Sequence, residues 1–283
     1  MPAENQSVNP TFNITTANTG AEKPVLLIHA GRQGISFIQL DTDNNILFAV
    51  QVYHFAKHFT DNDIAEAIDT ILSTENFNQQ HFLKICVTWC FAESILVPFE
   101  YFEMDHANAM LELVYGDAAQ AVPQHEMVLA HNLHTLYRIP VAVKNVFATC
   151  FPFSIQNHLN SLLINFEKVH RNLLYCIFYP HSFTVLLRKN GQLQVIQNFE
   201  FNVPEDAAYH LLNVCHSFEA AAPTTLMLSG MIDSNSNLYN ELYKYFLHIE
   251  FAQLPGNFNY SEAISQQPAH YFSHLFATAL CVL

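Results

Sequence analysis

The chain has 283 residues, enough for one large domain or two of medium size with an ample core. Its 25 acidic and 11 basic residues leave a formal net charge of −14, which argues against a basic phosphate-binding face, and so against nucleic acid, and equally against an anionic membrane surface. Only 13% of residues are charged and 51% are hydrophobic, with 24 Phe and 12 Tyr; such a surface either exposes apolar area that marks a partner or is solvated by its many Asn, Gln, Ser, Thr and His.

Residues 1–22 are polar and aperiodic and are expected to be a mobile tail. They lack the basic start and apolar core of a signal peptide, and no apolar run approaches the ~20 residues of a membrane span. From Pro24 the chain reads as a meander of three β-rich runs. Val25 to Ile28 is continuously apolar, as in a strand covered on both faces. His29-Ala30-Gly31-Arg32-Gln33-Gly34 is read as a tight turn, with two glycines available for positive φ. Ile35, Phe37 and Ile38 begin the second strand, Asp41–Asn45 is a turn, and Ile46 to Tyr53 is the third strand.

Thr60-Asp61-Asn62-Asp63 predicts a helix start. Ile64, Ala67, Ile68, Ile71 and Leu72 then form one apolar stripe at helical spacing. Phe82 to Trp89 is the fourth strand, and Ser94–Val97 a short fifth. From Pro98 to Pro152 the rhythm changes: a helix around Ala107–Val114, a strand pair at Met127–Ala130 and Thr135–Arg138, and a helix after Pro140. This segment has no counterpart later and reads as a small α+β subdomain inserted into a larger unit. A strand at Phe153–Gln156 and a helix from Leu159 to His170 follow.

The order of the first unit returns from Leu173: two strands joined at Ser182, the hairpin turn Lys189-Asn190-Gly191-Gln192, a third strand, a helix opened by Pro204-Glu205-Asp206, and the strand Thr225–Leu228 with its exit turn Ser229-Gly230. Lys84–Thr88 aligns on Thr225–Ser229, a separation of 225 − 84 = 141 residues. A helix through Leu238 and Leu242, a short strand at Ile249–Leu254 and a helix through Phe272 and Phe276 close the chain. The chain is therefore expected to be α/β and duplicated: residues 1–22 as a tail, residues 23–170 as a first lobe carrying the insertion at about 98–152, and residues 171–283 as a second lobe.

A duplicated meander, crossover helix and fourth strand, with an insertion at this point, resembles the actin-like ATPase fold, in which two ribonuclease-H-like lobes face a cleft. It is similar to the bacterial actin-like proteins of pilus assembly and type II secretion, and to an uncharacterised bacterial family assigned this fold. The resemblance covers residues 24–283 as a pattern, and the stretch from Leu226 through Phe251 is similar to the family's adenosine motif. It implies ATP as a ligand and three places for its chemistry. The first phosphate loop falls on His29-Ala30-Gly31, with Gly34 beside it. The second falls near Tyr179-Pro180-His181-Ser182, and the adenosine turn on Ser229-Gly230-Met231. Each departs from the family pattern. The aspartates that organise a metal ion are absent from both hairpins, Mg²⁺ prefers hard oxygen ligands, and Met231 stands where a second glycine is expected. These departures argue against hydrolysis, so no catalytic residue is assigned; His29, Gly31, Gly34, His181, Ser182, Ser229 and Gly230 remain as candidates for a nucleotide or cleft site. His29 and His181 are placed in equivalent hairpins of the two repeats.

Other constellations read as structure. The six cysteines form no C-x-x-C pair and sit mostly in apolar runs, as free thiols of a reducing compartment do. His125, His131 and His134 cluster in the insertion but lack the four-ligand spacing that zinc prefers, so no metal is expected. A nucleophilic Cys–His pair has no support in spacing. The sequence thus points to a non-catalytic or weakly nucleotide-binding cytoplasmic protein that acts through a protein partner or a homodimer. An ATP-dependent switch is the alternative, and a small-molecule kinase would need a carboxylate base at the cleft, where none stands out.

Overall fold

A computed structural model describes residues 9–16, 23–77, 80–166, 172–220 and 224–280. Their backbone falls into two compact units, one drawn from Met1–Ser161 and Phe258–Ile264, the other from Leu162–Asn257 and Ser265–Leu283.

The first unit opens with β1 (Phe12–Thr15), β2 (Val25–Gly31), β3 (Gly34–Asp41), β4 (Ile46–His54), α1 (Asp61–Thr74) and β5 (Lys84–Trp89). Strands β2, β3 and β4 are the expected antiparallel meander. Every residue of β2 is buried, as its unbroken apolar run requires. Helix α1 begins where the capping pattern put it. The Thr60 hydroxyl accepts the Asp63 N–H, and the Asp63 carboxylate accepts the Thr60 N–H at 2.7 Å. Its buried face, Ile64, Ile68, Ile71 and Leu72, joins Leu26, Ile28, Phe37, Val87 and Trp89 in one core. That crossover lets β5 run parallel to β2, with Val25 opposite Lys84.

Two expectations are corrected here. The tail is not featureless through residue 22, because Phe12–Thr15 pair antiparallel with Ala49–Val52. Phe12 and Ile14 are half-buried and Asn13 and Thr15 exposed, an alternation too short to read as a strand until the edge of β4 completes it. The other tail residues, 1–8 and 17–22, lie outside the described residues. The strand pair expected in the insertion is a three-stranded antiparallel sheet in the order β6-β8-β7, built from β6 (Ser94–Pro98), β7 (Ala121–Val128) and β8 (Leu133–Pro140). Helix α2 (Ala107–Tyr115) packs on it through a small core of Val97, Ala107, Leu111 and Leu136. Helix α3 (Val141–Cys150) instead buries Val143 and Phe147 in the larger core, with the Phe147 ring edge-on to Trp89 at 4.9 Å. Strand β9 (Ile155–His158) lies parallel to β5 and leads into α4 (Leu159–Phe166), within which the chain passes to the second unit. The expected continuation of that helix to His170 falls outside the described residues.

The second unit repeats the plan: β10 (Leu173–Phe178), β11 (Ser182–Lys189), β12 (Gln192–Glu200), α5 (Pro204–Ser217) and β13 (Thr225–Gly230), then α6 (Asn237–Tyr243) and β14 (Ile249–Phe251). The order β4-β3-β2-β5 recurs as β12-β11-β10-β13. Asn190 and Gly191 both adopt positive φ, at 54° and 78°, as a two-residue hairpin of this twist demands. The chain returns to the first unit in β15 (Asn259–Tyr260), parallel to β4, and in α7 (Glu262–Ser265). It ends with α8 (Ala269–Ala279), which packs on β13.

Candidate functional site

The register shows which candidate residues correspond. In the first unit His29 stands opposite Thr88, and in the second Ile177 stands opposite Ser229. Thr88 and Ser229 are separated by 229 − 88 = 141, the period of the duplication, so the counterpart of His29 is Ile177. The first hairpin closes on Gly31 and Gly34; the second closes where the Tyr179 N–H donates to the Ser182 carbonyl at 2.8 Å. His181 therefore corresponds to Gln33: the two hairpins are equivalent, but His29 and His181 do not occupy the same position in them. His29 lies inside β2 and is buried, whereas His181 sits in an exposed turn. The expected turn over His29–Gly34 is corrected: β2 runs through Gly31, so His29 and Ala30 are strand residues and the turn is confined to Arg32 and Gln33.

The surroundings of His29 are closed. Its Nδ1 lies 4.0 Å from the Cys90 Sγ, and the Cys90 N–H donates to the Ala30 carbonyl at 2.8 Å. Burial lowers the His29 pKa to about 3 and raises the Cys90 thiol to about 12. Both groups are neutral at physiological pH, and no thiolate–imidazolium pair forms. Residue 90 also occupies the space over Gly31: a Cβ there would meet the Cys90 carbonyl oxygen at 2.7 Å and its Cβ at 2.9 Å. At Gly34 it would meet the Tyr53 carbonyl oxygen at 2.1 Å. Both glycines are required by backbone passing close by.

The second unit brings the second hairpin and the Ser229-Gly230 turn together, with Phe178 opposite Gly230 across β10 and β13. Gly230 has φ 81°, and a Cβ would meet the Phe178 carbonyl oxygen at 2.2 Å; that same oxygen accepts the Met231 N–H at 2.7 Å. Ser229 is fully buried. Its hydroxyl donates to the His270 carbonyl at 3.1 Å and lies 2.8 Å from the Ser273 Oγ and 3.1 Å from the His274 Nδ1. The His270 Nε2 lies 2.7 Å from the Ile232 carbonyl, and the Tyr271 hydroxyl donates to Asp233. Helix α8 thus lies along the exit of β13 and takes up its polar groups. Ser229 and His274 have the spacing of a nucleophile and base, but both are buried, and the pair acts as a packing contact.

These three helix residues were absent from the sequence reading. Their i, i+3, i+4 spacing, a polar stripe at His270, Ser273 and His274 on an otherwise apolar helix, is the signal that could have found them. Cys90 beside His29 carries no comparable signal. In the insertion, the His134 ring stacks on Phe102 with centroids 3.8 Å apart and lies 5.7 Å from the His125 ring. Among the described residues no group of three or more His, Cys, Asp or Glu is arranged to hold a metal ion.

The hairpin positions carry no carboxylate for a metal ion, Cys90 covers Gly31, and Ser229 is consumed by α8. Among the described residues no helix is long and apolar enough to cross a membrane.

A family model described as "Protein of unknown function (DUF3822)" matches residues 11–249. No curated protein matches the chain. Among solved structures, a Bacteroides thetaiotaomicron protein with actin-like ATPase fold and unknown function is similar at 15% identity. Its TM-score is 0.76, over 94% of this chain and 99% of that one. A chain of the PilM–PilN type IV pilus biogenesis complex is similar at 10% identity and a TM-score of 0.62, over 92% and 97%. The fold is therefore the duplicated, two-lobed actin-like ATPase fold, with a small α+β subdomain inserted in the first lobe.

Proposed function

We propose, from the premise that the chain belongs to the DUF3822 family, that it is a non-catalytic cytoplasmic protein of the actin-like fold that works through contacts with a protein partner or a second copy. The observation that carries this reading is the commitment of the fully buried Ser229 hydroxyl to helix α8. A residue that would have to turn toward a nucleotide is instead bonded within its own unit. The positions His29, Gly31 and Gly34 are likewise used for packing. We take the inserted subdomain, about residues 98–152, as the contact module, because insertions vary while the lobes keep their shape. The PilM–PilN complex supports the reading as a case of this fold at work in an assembly.

Calorimetric titration with ATP and Mg²⁺, with ADP as control, tests the proposal. No saturable heat is expected at millimolar nucleotide. Saturable binding that weakens in Met231→Arg, beside the turn but free of its glycine requirement, would overturn it in favour of an ATP-dependent switch.

A further inference from the structure

Helix α2 covers only part of its apolar surface. Ala107 and Leu111 are buried in the subdomain core. On the rest of the helix Leu113 is 88% exposed and Val114 58%, and in the turns just before it Tyr101 and Met104 are similarly open. Open apolar side chains gathered in one segment mark an interaction surface.

The exposed charge around this segment is of one sign, since Arg138, which pairs with Glu93 and donates to the Gly116 carbonyl at the end of α2, is buried. Residues 85–137 contain seven carboxylates and no Lys or Arg, which is half of the chain's formal −14 in 53 of 283 residues. Glu100, Glu103, Asp105, Glu112 and Asp117 are all exposed and interleave with the open apolar residues. Glu103 pairs with His106 and Glu112 accepts the Asn108 amide; no described Lys or Arg pairs with any of the five. A surface of this kind repels an acidic partner and an anionic membrane, and selects a complementary one.

We infer that the open apolar residues of α2, with those of the turns that precede it, dock an amphipathic segment of a partner protein whose apolar residues are flanked by Lys or Arg. The inference rests on the contact reading above and gives the partner its chemistry. Leu113 and Val114 supply the apolar anchor, and the five carboxylates supply steering and sign.

The probe is a fluorescein-labelled peptide of Leu and Lys at helical spacing, followed by anisotropy at low and moderate salt, against a counterpart with Glu in place of Lys. Leu113→Asp is the test variant; Leu247→Asp, an 85%-exposed leucine in the second unit, is the control. The new carboxylate strengthens any generic attraction to a cationic peptide, so weaker binding in Leu113→Asp reports the lost apolar contact. The expected result is that wild type and Leu247→Asp bind the Lys peptide equally, at least tenfold more tightly than the Glu peptide. Leu113→Asp should bind it at least fivefold more weakly, with salt weakening all three. Unchanged or tighter binding by Leu113→Asp, equal loss in both variants, or comparable binding of the Glu peptide would overturn the inference. None of these outcomes touches the nucleotide titration, whose own result decides the broader reading.

Discussion

The carboxylate of Glu126, on β7 of the inserted subdomain, accepts the backbone N–H of His158 at 2.7 Å. It thereby caps the start of α4, the helix within which the chain passes from one compact unit to the other. Around it the His158 Nε2 lies 3.0 Å from the Phe91 carbonyl, and the Ser161 hydroxyl donates to Thr135 at 2.7 Å. The subdomain is thus bolted to the first residues of α4 by polar groups that are largely removed from water.

Removing the carboxylate leaves a buried N–H without its acceptor, so Glu126→Ala should cost about 1–3 kcal/mol. Glu126→Gln keeps an acceptor oxygen and should cost less. Urea midpoints of the two variants, with amide exchange at His158, check this; equal losses would mean that the cap contributes nothing.

Gly230 combines φ 81° with a carbonyl oxygen 2.2 Å from where a Cβ would stand. Gly230→Ala must therefore shift backbone, and a loss of at least about 2 kcal/mol is expected from strain and overpacking together. Thermal and urea unfolding measure it. A midpoint within error of wild type would show that the turn relaxes freely.

Ser229→Ala removes one hydroxyl from a cluster with Ser273 and His274. The partners it abandons are buried, so stability should fall by roughly 1–3 kcal/mol. Any nucleotide-dependent heat should be unchanged. A variant that kept full stability and lost an ATP signal would assign the hydroxyl to ligand binding.

Burial holds His29 at a pKa of about 3 and His158 at about 4, against an ordinary 6.5. A depressed histidine pKa means that the unfolded chain binds more protons in this window. Both contributions are therefore complete above pH 6.5 and lost as pH falls toward 4 and 3. At pH 5 each removes up to roughly 2 kcal/mol, from 1.5 units at 1.36 kcal/mol per unit. Denaturation at pH 7.5 and 5.0 should show the difference, and a flat profile would mean that the two imidazoles are solvated.

The Cys90 thiol, raised to about 12 beside a neutral His29, should alkylate slowly. With iodoacetamide at pH 7.5, a rate on the order of a hundredfold below that of a free cysteine is expected, because only the thiolate reacts. Peptide mapping gives the rate. Alkylation as fast as a free thiol would reveal an ion pair that the burial of both groups opposes.

Much of this architecture is written locally. The Thr60–Asp63 cap, the 64-68-71-72 stripe, the Asn190-Gly191 hairpin and the 141-residue period all depend on residues a few positions apart or on a repeated order of elements. They specify the duplicated actin-like plan without reference to any tertiary contact. What the chain could not show by itself is which residues meet across long separations. Strand β1 exists only because β4 offers an edge. His29 is a strand residue whose counterpart is Ile177, a relation set by register. Ser229 finds its partners 41 to 45 residues away, Cys90 finds His29 at 61, and Glu126 finds His158 at 32. Periodicity and capping act over one or two turns of chain, whereas burial and pairing depend on how sheets and helices close on one another. The fold was therefore legible in the sequence, whereas the partners of His29, Ser229 and Glu126 were decided only by the tertiary structure.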